Sequence, residues 1–257
     1  MWILDVEKKK RRLDEILVEF GHCETKSRAK ALILAGKVRR GTEILDKPGK
    51  TYSLDIKLTI IKPAQFVGRG GEKLESYLKE FPTSVEGRRI LDVGASTGGF
   101  TDCLLQRGAA TAICVDVGRA QMHEKILGDP RVTNIEKTNA RYLTADQLPY
   151  LDYDLIVMDL SFISLKKVLP AIWPLLKIGG KLIALVKPQF EADKETVDKC
   201  RGVIRDNEIR EALLQEMKDW INRHLAEVIV EGTIESPISG GGGNREYLLG
   251  ATKGGSE

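Results

Sequence analysis

The segment Ile90-Leu-Asp-Val-Gly-Ala-Ser-Thr-Gly-Gly-Phe-Thr-Asp-Cys-Leu-Leu105 limits what this chain can fold into more than any other stretch. An apolar run, Ile90 to Val93, stops in glycines between Gly94 and Gly99, and a helical pattern opens at Phe100. A strand that turns through glycine straight into a helix makes an anion- and nucleotide-binding corner. Glycine lets backbone approach a ligand, and the helix start offers unpaired N–H groups. In an open α/β sheet such a corner lies at the carboxyl ends of the strands, where ligands bind. The spacing Asp92-x-Gly94-x-x-x-Gly98-Gly99 is not the G-x-G-x-x-G of dinucleotide folds, and no lysine follows the glycines as a P-loop requires. A plain strand–helix turn remains the alternative for this segment taken alone.

The pattern downstream extends the strand–turn–helix theme. Strands are predicted at Thr111 to Asp116, Val132 to Ile135, Tyr153 to Met158, within Leu175 to Val186 after an opening turn, and at Ala226 to Val230 and Asn244 to Leu249. Helices are predicted over 72–81, with Leu74, Tyr77, Leu78 and Phe81 inward, over 165–173, and over 207–223, with Ile209, Leu213, Met217, Trp220 and Ile221 inward. This alternation argues an α/β fold with a doubly wound, mostly parallel sheet. Asp116 closes the second strand, a place suited to accepting both hydroxyls of a ribose. A helix cap is its other reading. Asn139 follows the third strand as a candidate for contact with an adenine.

The front of the chain differs. Residues 1–62 carry 15 lysines and arginines against 9 acids, whereas the remainder carries 25 against 28, so the net charge of +3 is unevenly placed. Such a basic segment suggests nucleic-acid contact, with a solvated charged face as the bland alternative. Leu13, Ile16, Leu17 and Phe20 have helical spacing, Thr25 is placed to cap a second helix with Ala29, Leu32 and Ile33 inward, and short strands are predicted around Lys37 to Gly41 and Asp55 to Ile61. The domain reading is 1–62, a connector at 63–71, and 72–257.

Composition excludes several classes. Of 257 residues, 42% are hydrophobic and 30% charged, as in globular proteins. No apolar run approaches the roughly 18 residues needed to cross a bilayer, and Asp5 and Glu7 precede the basic run Lys8 to Arg12, unlike a signal peptide. Cys23, Cys103, Cys114 and Cys200 form no C-x-x-C, and the 3 histidines are scattered. Reduced core thiols, no metal site and a cytoplasmic monomer are expected.

Four polar residues stand at strand ends or beside the glycine turn: Lys73, Asp159, Lys187 and Glu246. Asp159 and Lys187 close adjacent apolar strands and should both project into the crevice. Burying a lysine is costly unless it is paired, and two lysines with two acids form a satisfied set. Close lysines depress one another's pKa, which would supply a neutral amine as a base.

Several segments resemble known families. Arg12-Leu-Asp14, Leu17, Gly21, Ser27-Arg28, Ala31, Ile33, Gly36, Val38, Gly41 and the Pro48-Gly49 turn resemble the S-four-type RNA-binding module over residues 11–61. Arg40 departs from the asparagine often found there. The module implies recognition of structured RNA, with Arg11, Arg12, Lys26, Arg28, Lys30, Lys37, Arg39 and Arg40 as candidate contacts. The glycine segment resembles the first motif of the S-adenosylmethionine-dependent methyltransferases. That resemblance implies a Rossmann-like fold with an antiparallel last strand. S-adenosylmethionine would be held by Asp92, Gly94, Ser96, Gly98, Gly99, Phe100, Asp116, Asn139 and Asp159.

The Lys-Asp-Lys-Glu set resembles the tetrad of FtsJ-type 2′-O-ribose methyltransferases. With Phe66-Val-Gly-Arg-Gly-Gly-Glu-Lys-Leu74, Asp159-Leu-Ser-Phe-Ile-Ser164, Val186-Lys-Pro-Gln-Phe-Glu191 and Gly243-Asn-Arg-Glu-Tyr-Leu248, the chain resembles over nearly its whole length the TlyA (haemolysin A) family of rRNA (cytidine-2′-O)-methyltransferases. What this implies is methylation of rRNA in ribosomal subunits. Lys187 would be the base, Asp159 its electrostatic partner, and Lys73 and Glu246 would position the substrate. A non-catalytic RNA-binding or ribosome-assembly factor is the second reading, disfavoured because neither the tetrad nor the motif glycines are lost. A pore former ranks last, for want of a spanning segment or a long basic amphipathic stripe.

Overall fold

The computed structural model describes residues 9–61 and 64–255. The stretch before Lys9 and the junction at 62–63, where the sequence reading ends its first domain and starts its connector, lie outside the described residues. The chain divides into two compact units, residues 1–64 and 65–257.

In the first unit, β1 (Lys10–Arg12) leads directly into α1 (Leu13–Glu19), followed by α2 (Lys26–Leu34), β2 (Val38–Arg40), β3 (Glu43–Ile44), β4 (Thr51–Ser53) and β5 (Thr59–Ile60). β1 pairs antiparallel with β4, and β2 lies between β3 and β5. Leu13, Ile16, Leu17, Ala29, Ile33, Val38, Leu45 and Tyr52 make the core. Thr25 caps α2 by accepting the Arg28 N–H at 3.2 Å. Phe20 is 45% exposed, because α1 ends one residue before it and the chain turns outward.

The second unit opens with α3 (Arg69–Glu80). β6 (Arg89–Val93), α4 (Gly99–Gln106), β7 (Thr111–Val115), α5 (Glu124–Leu127), β8 (Val132–Ile135), β9 (Tyr153–Met158), α6 (Leu169–Ile172) and β10 (Leu176–Val186) follow. After them come α7 (Pro188–Glu191), α8 (Lys194–Lys199), α9 (Asn207–His224), β11 (Val228–Glu235) and β12 (Tyr247–Lys253). The sheet runs β11-β12-β10-β9-β6-β7-β8. β8, β7, β6, β9 and β10 are parallel, and β12 lies antiparallel between β10 and β11. Strand order therefore reverses between β6 and β9, which opens a crevice at their carboxyl ends.

Each central strand is buried on both faces. Leu91 and Val93 join the core under α6 and α9, whereas Ile90, Cys114 and Val157 join the core under α3 and α4. Cys103 and Cys114 are buried free thiols. In α9 the buried residues are Leu214, Met217 and Ile221. Ile209, Leu213 and Trp220 are half-buried, since the covered stripe is narrower than the apolar one. α3 starts three residues before Glu72 and Phe66 is 5% exposed, so residues 66–71, expected to be connector, pack as part of this unit.

Candidate active site

The glycine turn after β6 is shaped by close approach. Gly94 has φ +84°, and a Cβ there would lie 2.5 Å from the Asp159 carbonyl oxygen, so no other residue lets the ends of β6 and β9 meet. The Asp159 N–H donates to the Val93 carbonyl at 3.1 Å. Asp92, inside β6, is fully buried. Its Oδ2 accepts from the Thr101 N–H at 3.1 Å and the Thr101 hydroxyl at 2.6 Å, while Oδ1 has no partner among the described residues. Burial pushes this carboxyl up to about 7. The Thr101 hydrogen bonds oppose that rise, and the charges of Asp159 and Asp116 add to it.

The four tetrad candidates come together as two ion pairs. Lys187, the first residue past β10, places Nζ 2.7 Å from Asp159 Oδ1, just past β9, and donates to the Ser161 hydroxyl at 3.0 Å. Lys73, in the second turn of α3, donates to Glu246 Oε2 at 2.6 Å, and Glu246 immediately precedes β12. Lys73, Lys187 and Glu246 are 8%, 7% and 2% exposed, so each charge stays buried only because its partner is there. Lys73, Asp159 and Lys187 line one cavity of about 250 Å³ together with Asp92, Gly94, Ser96, Gly99 and Phe100. Glu246 reaches it through Lys73.

An adjoining cavity of about 480 Å³ shares Gly94, Ser96, Asp159 and Ser161 with the first. Its walls include Val115, Ala140, Leu160 and Val168, and it holds Asp116 and Asn139. The size and the mixture of apolar wall with few polar groups suit a nucleoside. Asp116 caps no helix. Its carboxylate accepts the Ser96 N–H at 2.8 Å and the Gly118 N–H at 2.7 Å, one on each oxygen. A carboxylate oxygen has a second lone pair, so both oxygens can still accept from hydroxyls. Asn139 spends its side-chain oxygen on the Arg141 N–H at 3.0 Å, which leaves its amide N–H groups as donors. Gly98 lines neither cavity. With φ +86° it is the left-handed residue that starts α4, packed against Ile126.

In the first unit, Arg11, Arg12, Lys26 and Arg40 are ion-paired with Glu19, Asp14, Glu15 and Glu43. Arg28, Lys30, Lys37 and Arg39 have no ion pair among the described residues, and Arg28 and Lys30 are exposed. The Arg12 hydrogen bond and charge hold the Asp14 carboxyl below the usual range.

Comparison with known proteins fits this geometry. The profile of the FtsJ-like methyltransferases matches residues 66–253. The chain belongs to the FtsJ-like methyltransferase family. The S4 domain profile matches residues 11–55. YqxC of Bacillus subtilis (strain 168) is 46% identical over 243 residues, covering 94% of this chain and 85% of the relative. The 16S/23S rRNA (cytidine-2′-O)-methyltransferase TlyA of Mycobacterium tuberculosis (strain ATCC 25618 / H37Rv) is 40% identical over 245 residues, 94% of this chain and 89% of the relative. A solved structure titled as a hemolysin from Streptococcus thermophilus superposes with TM-score 0.72 at 38% identity, covering 97% of this chain and 90% of that one. Among the described residues no helix is long and apolar enough to cross a membrane, and no cluster of acids, histidines and cysteines could hold a metal ion.

The FtsJ-like unit also places residues that sequence reasoning passed over. Ser161 is the second acceptor for Lys187. Phe162 is 91% exposed at φ +64°, beside Phe190 with ring centroids 5.3 Å apart. Glu191 joins the two loops. Its carboxylate accepts the Ser164 hydroxyl at 2.5 Å and the Leu165 N–H at 2.8 Å. Each of these lies inside a segment that the resemblance singled out, so the segment was visible but the contact was not.

Proposed function

We propose that this protein transfers the methyl group of S-adenosylmethionine to the 2′-hydroxyl of a cytidine ribose in ribosomal RNA, acting in the cytoplasm as a monomer on ribosomal subunits. The observation that carries this is Lys187 Nζ, pinned by Asp159 and Ser161 at the edge of a cavity that adjoins the glycine turn. As the ammonium paired with Asp159, Lys187 has no lone pair; it serves as a base only once it has given up a proton, when it keeps two N–H groups and one lone pair. With the two N–H groups spent on Asp159 and Ser161, the lone pair is the position left for a substrate proton.

The residues present fit the cofactor. The buried Asp92 Oδ1, without a partner among the described residues, is a site for a cationic amino group, Asp116 for the ribose hydroxyls, and Asn139 for the adenine edge. Gly94, Ser96, Gly99, Phe100 and Asp159 form the surrounding wall. S-adenosylmethionine, when bound, supplies a methyl group on a positively charged sulfur, so no covalent enzyme intermediate is required. Lys187 takes the hydroxyl proton as the ribose oxygen attacks. Asp159 stabilises the ammonium that results. Lys73, held by Glu246, donates to the substrate and fixes its orientation. Phe162 offers a face on which the target base stacks. The S4 unit grips folded RNA through Arg28, Lys30, Lys37 and Arg39 along with the paired cations Arg11, Arg12, Lys26 and Arg40. The name of the tuberculosis relative supports rRNA and cytidine as the target.

The test is to incubate the protein with methyl-labelled cofactor and ribosomal subunits from cells lacking it, then hydrolyse the RNA in alkali. Ribose methylation blocks cleavage, so label in an alkali-resistant dinucleotide with cytidine on its 5′ side is expected. Label released with free bases or mononucleotides, or no label at all, would contradict the proposal.

A further inference from the structure

The start of α3 is fixed by an interface made of glycine backbone. A Cβ on Gly99 would lie 3.0 Å from the Gly71 nitrogen, 3.2 Å from the Gly68 oxygen and 3.3 Å from the Gly70 Cα, and a Cβ on Gly68 would lie 2.5 Å from the Thr97 hydroxyl. Two chain segments therefore touch main chain to main chain, and the residue among these glycines, Arg69, is set in place by them. Arg69 stands four residues before Lys73 on the same helix face. Lys73 is buried, whereas Arg69 is exposed at the lip of the same cavity.

The charges around that cavity are otherwise matched. Lys73 has Glu246, and Lys187 has Asp159 and Ser161. Arg69 alone of these cations has no hydrogen bond or ion pair among the described residues. It lines the small cavity with the two lysines and not the larger one with Asp116 and Asn139. An unpaired guanidinium presents a flat fork of donors that matches a phosphate. Every internal RNA nucleotide carries a phosphodiester on its 3′-oxygen, borne by the carbon adjacent to the one that bears the reacting 2′-oxygen. A ribose with its 2′-oxygen at Lys187 brings that anion to the lip of the cavity.

We infer that Arg69 forms a phosphate-binding subsite that grips the phosphodiester on the 3′ side of the target ribose. This rests on the ribose-methylation proposal above. Arg69 thereby favours a nucleotide inside a chain over a free nucleoside or a 3′ end.

The experiment compares Arg69→Ala and Arg69→Lys with the unaltered full-length protein. The substrate is ribosomal subunits lacking the modification, and transfer to ribose is read over a range of salt concentrations. For Arg69→Ala, kcat/KM falls roughly tenfold or more, as for loss of one charge-assisted hydrogen-bond pair. The plot of log KM against log salt loses about one unit of slope. Arg69→Lys keeps the slope and recovers only part of the rate, since the fork is gone. Affinity for S-adenosylmethionine, measured by calorimetry, stays within twofold in both, and the melting temperature is unchanged.

An unchanged slope with weakened cofactor affinity would assign the guanidinium to the cofactor's carboxylate and overturn the inference. Rates and slope both unchanged would make Arg69 a solvated charge. If the unaltered protein methylates no ribose, the proposal above fails and this inference fails with it. If it does methylate ribose and only the Arg69 results go wrong, this inference fails alone.

Discussion

Removing one member of the Lys73–Glu246 pair should damage folding as well as catalysis. The two groups are 2.6 Å apart, with side chains only 10% and 3% exposed, and they tie α3 to the segment before β12 across 173 residues of sequence. Lys73→Met leaves the Glu246 carboxylate buried with no cation, and Glu246→Met leaves the ammonium likewise. Breaking such a pair from either side costs about 3–5 kcal/mol, whereas replacing both charges with apolar groups of like volume is often neutral or stabilising. In a unit of this size about 1 kcal/mol moves the melting temperature by roughly 2–4 °C, so each single change should lower it by about 6–20 °C. The double variant should return to near the starting value. Trp173 and Trp220 both lie in the second unit, so the fluorescence of these indoles follows its unfolding. Methyl transfer should be lost in all three variants. A double variant whose loss of stability equals the sum of the two single losses would show that the pair is not coupled. A double variant that regains transfer along with stability would remove Lys73 and Glu246 from the chemistry.

Other outcomes follow from three more carboxylates of the second unit, Asp92, Glu191 and Asp116. The Asp92 carboxyl, raised from its ordinary 3.8 to about 7, favours folding while protonated, so its contribution is complete below about pH 4 and is lost as pH rises through about 7, on the order of 4 kcal/mol in all. The ligand-free protein should therefore lose thermal stability between about pH 4 and 7 and level off above, and Asp92→Asn should flatten that slope; an equal slope in the variant would refute the assignment. Burial also holds the Glu191 carboxyl above the usual range, against the hydrogen bonds from Ser164 and Leu165. Glu191→Ala should lower kcat by roughly tenfold, because the loops bearing Asp159 and Lys187 lose their tie and the Leu165 N–H its acceptor, whereas Glu191→Gln should keep most of the rate. Equal KM effects with kcat untouched in both variants would argue against this positioning role. Asp116→Ala should weaken S-adenosylmethionine binding about tenfold or more by calorimetry, as for loss of hydrogen bonds to a charged acceptor; unchanged affinity would place the ribose elsewhere.

The ends of β9 and β10 were legible because each closes as an apolar run followed by one polar residue, whereas β11 and β12 run on to Glu235 and Lys253, past the ends expected at Val230 and Leu249. Val132–Ile135 and Tyr153–Met158 coincide with the strands observed, and Asp159 and Lys187 follow their strands as the pattern required. The resemblance paired Lys187 with Asp159, but that Glu246 serves Lys73 was not legible. Lys73 and Glu246 lie 173 residues apart, and only the register that folds β12 between β10 and β11 brings them together. The start of α3 was hidden for a different reason. Gly68, Gly70 and Gly71 read as a connector, yet a Cβ on them would meet the Thr97 hydroxyl, the Phe100 ring and the Phe66 ring, and their backbone packs so closely on Gly99 that it too must be glycine. Strands of two or three residues, such as β1 and β3, are too short for alternation to appear. Glu191 and Ser161 act through contacts between loops, which no periodicity records.

The most direct measurement is the single-turnover rate of methyl transfer to the ribose of unmodified subunits by Lys187→Met, set beside its affinity for S-adenosylmethionine. Loss of a positioned base is expected to slow transfer by about 10²–10⁴-fold while cofactor affinity stays within a few-fold. Transfer at a rate close to that of the unaltered protein, with the cofactor bound as before, would contradict the assignment of Lys187 as the proton acceptor.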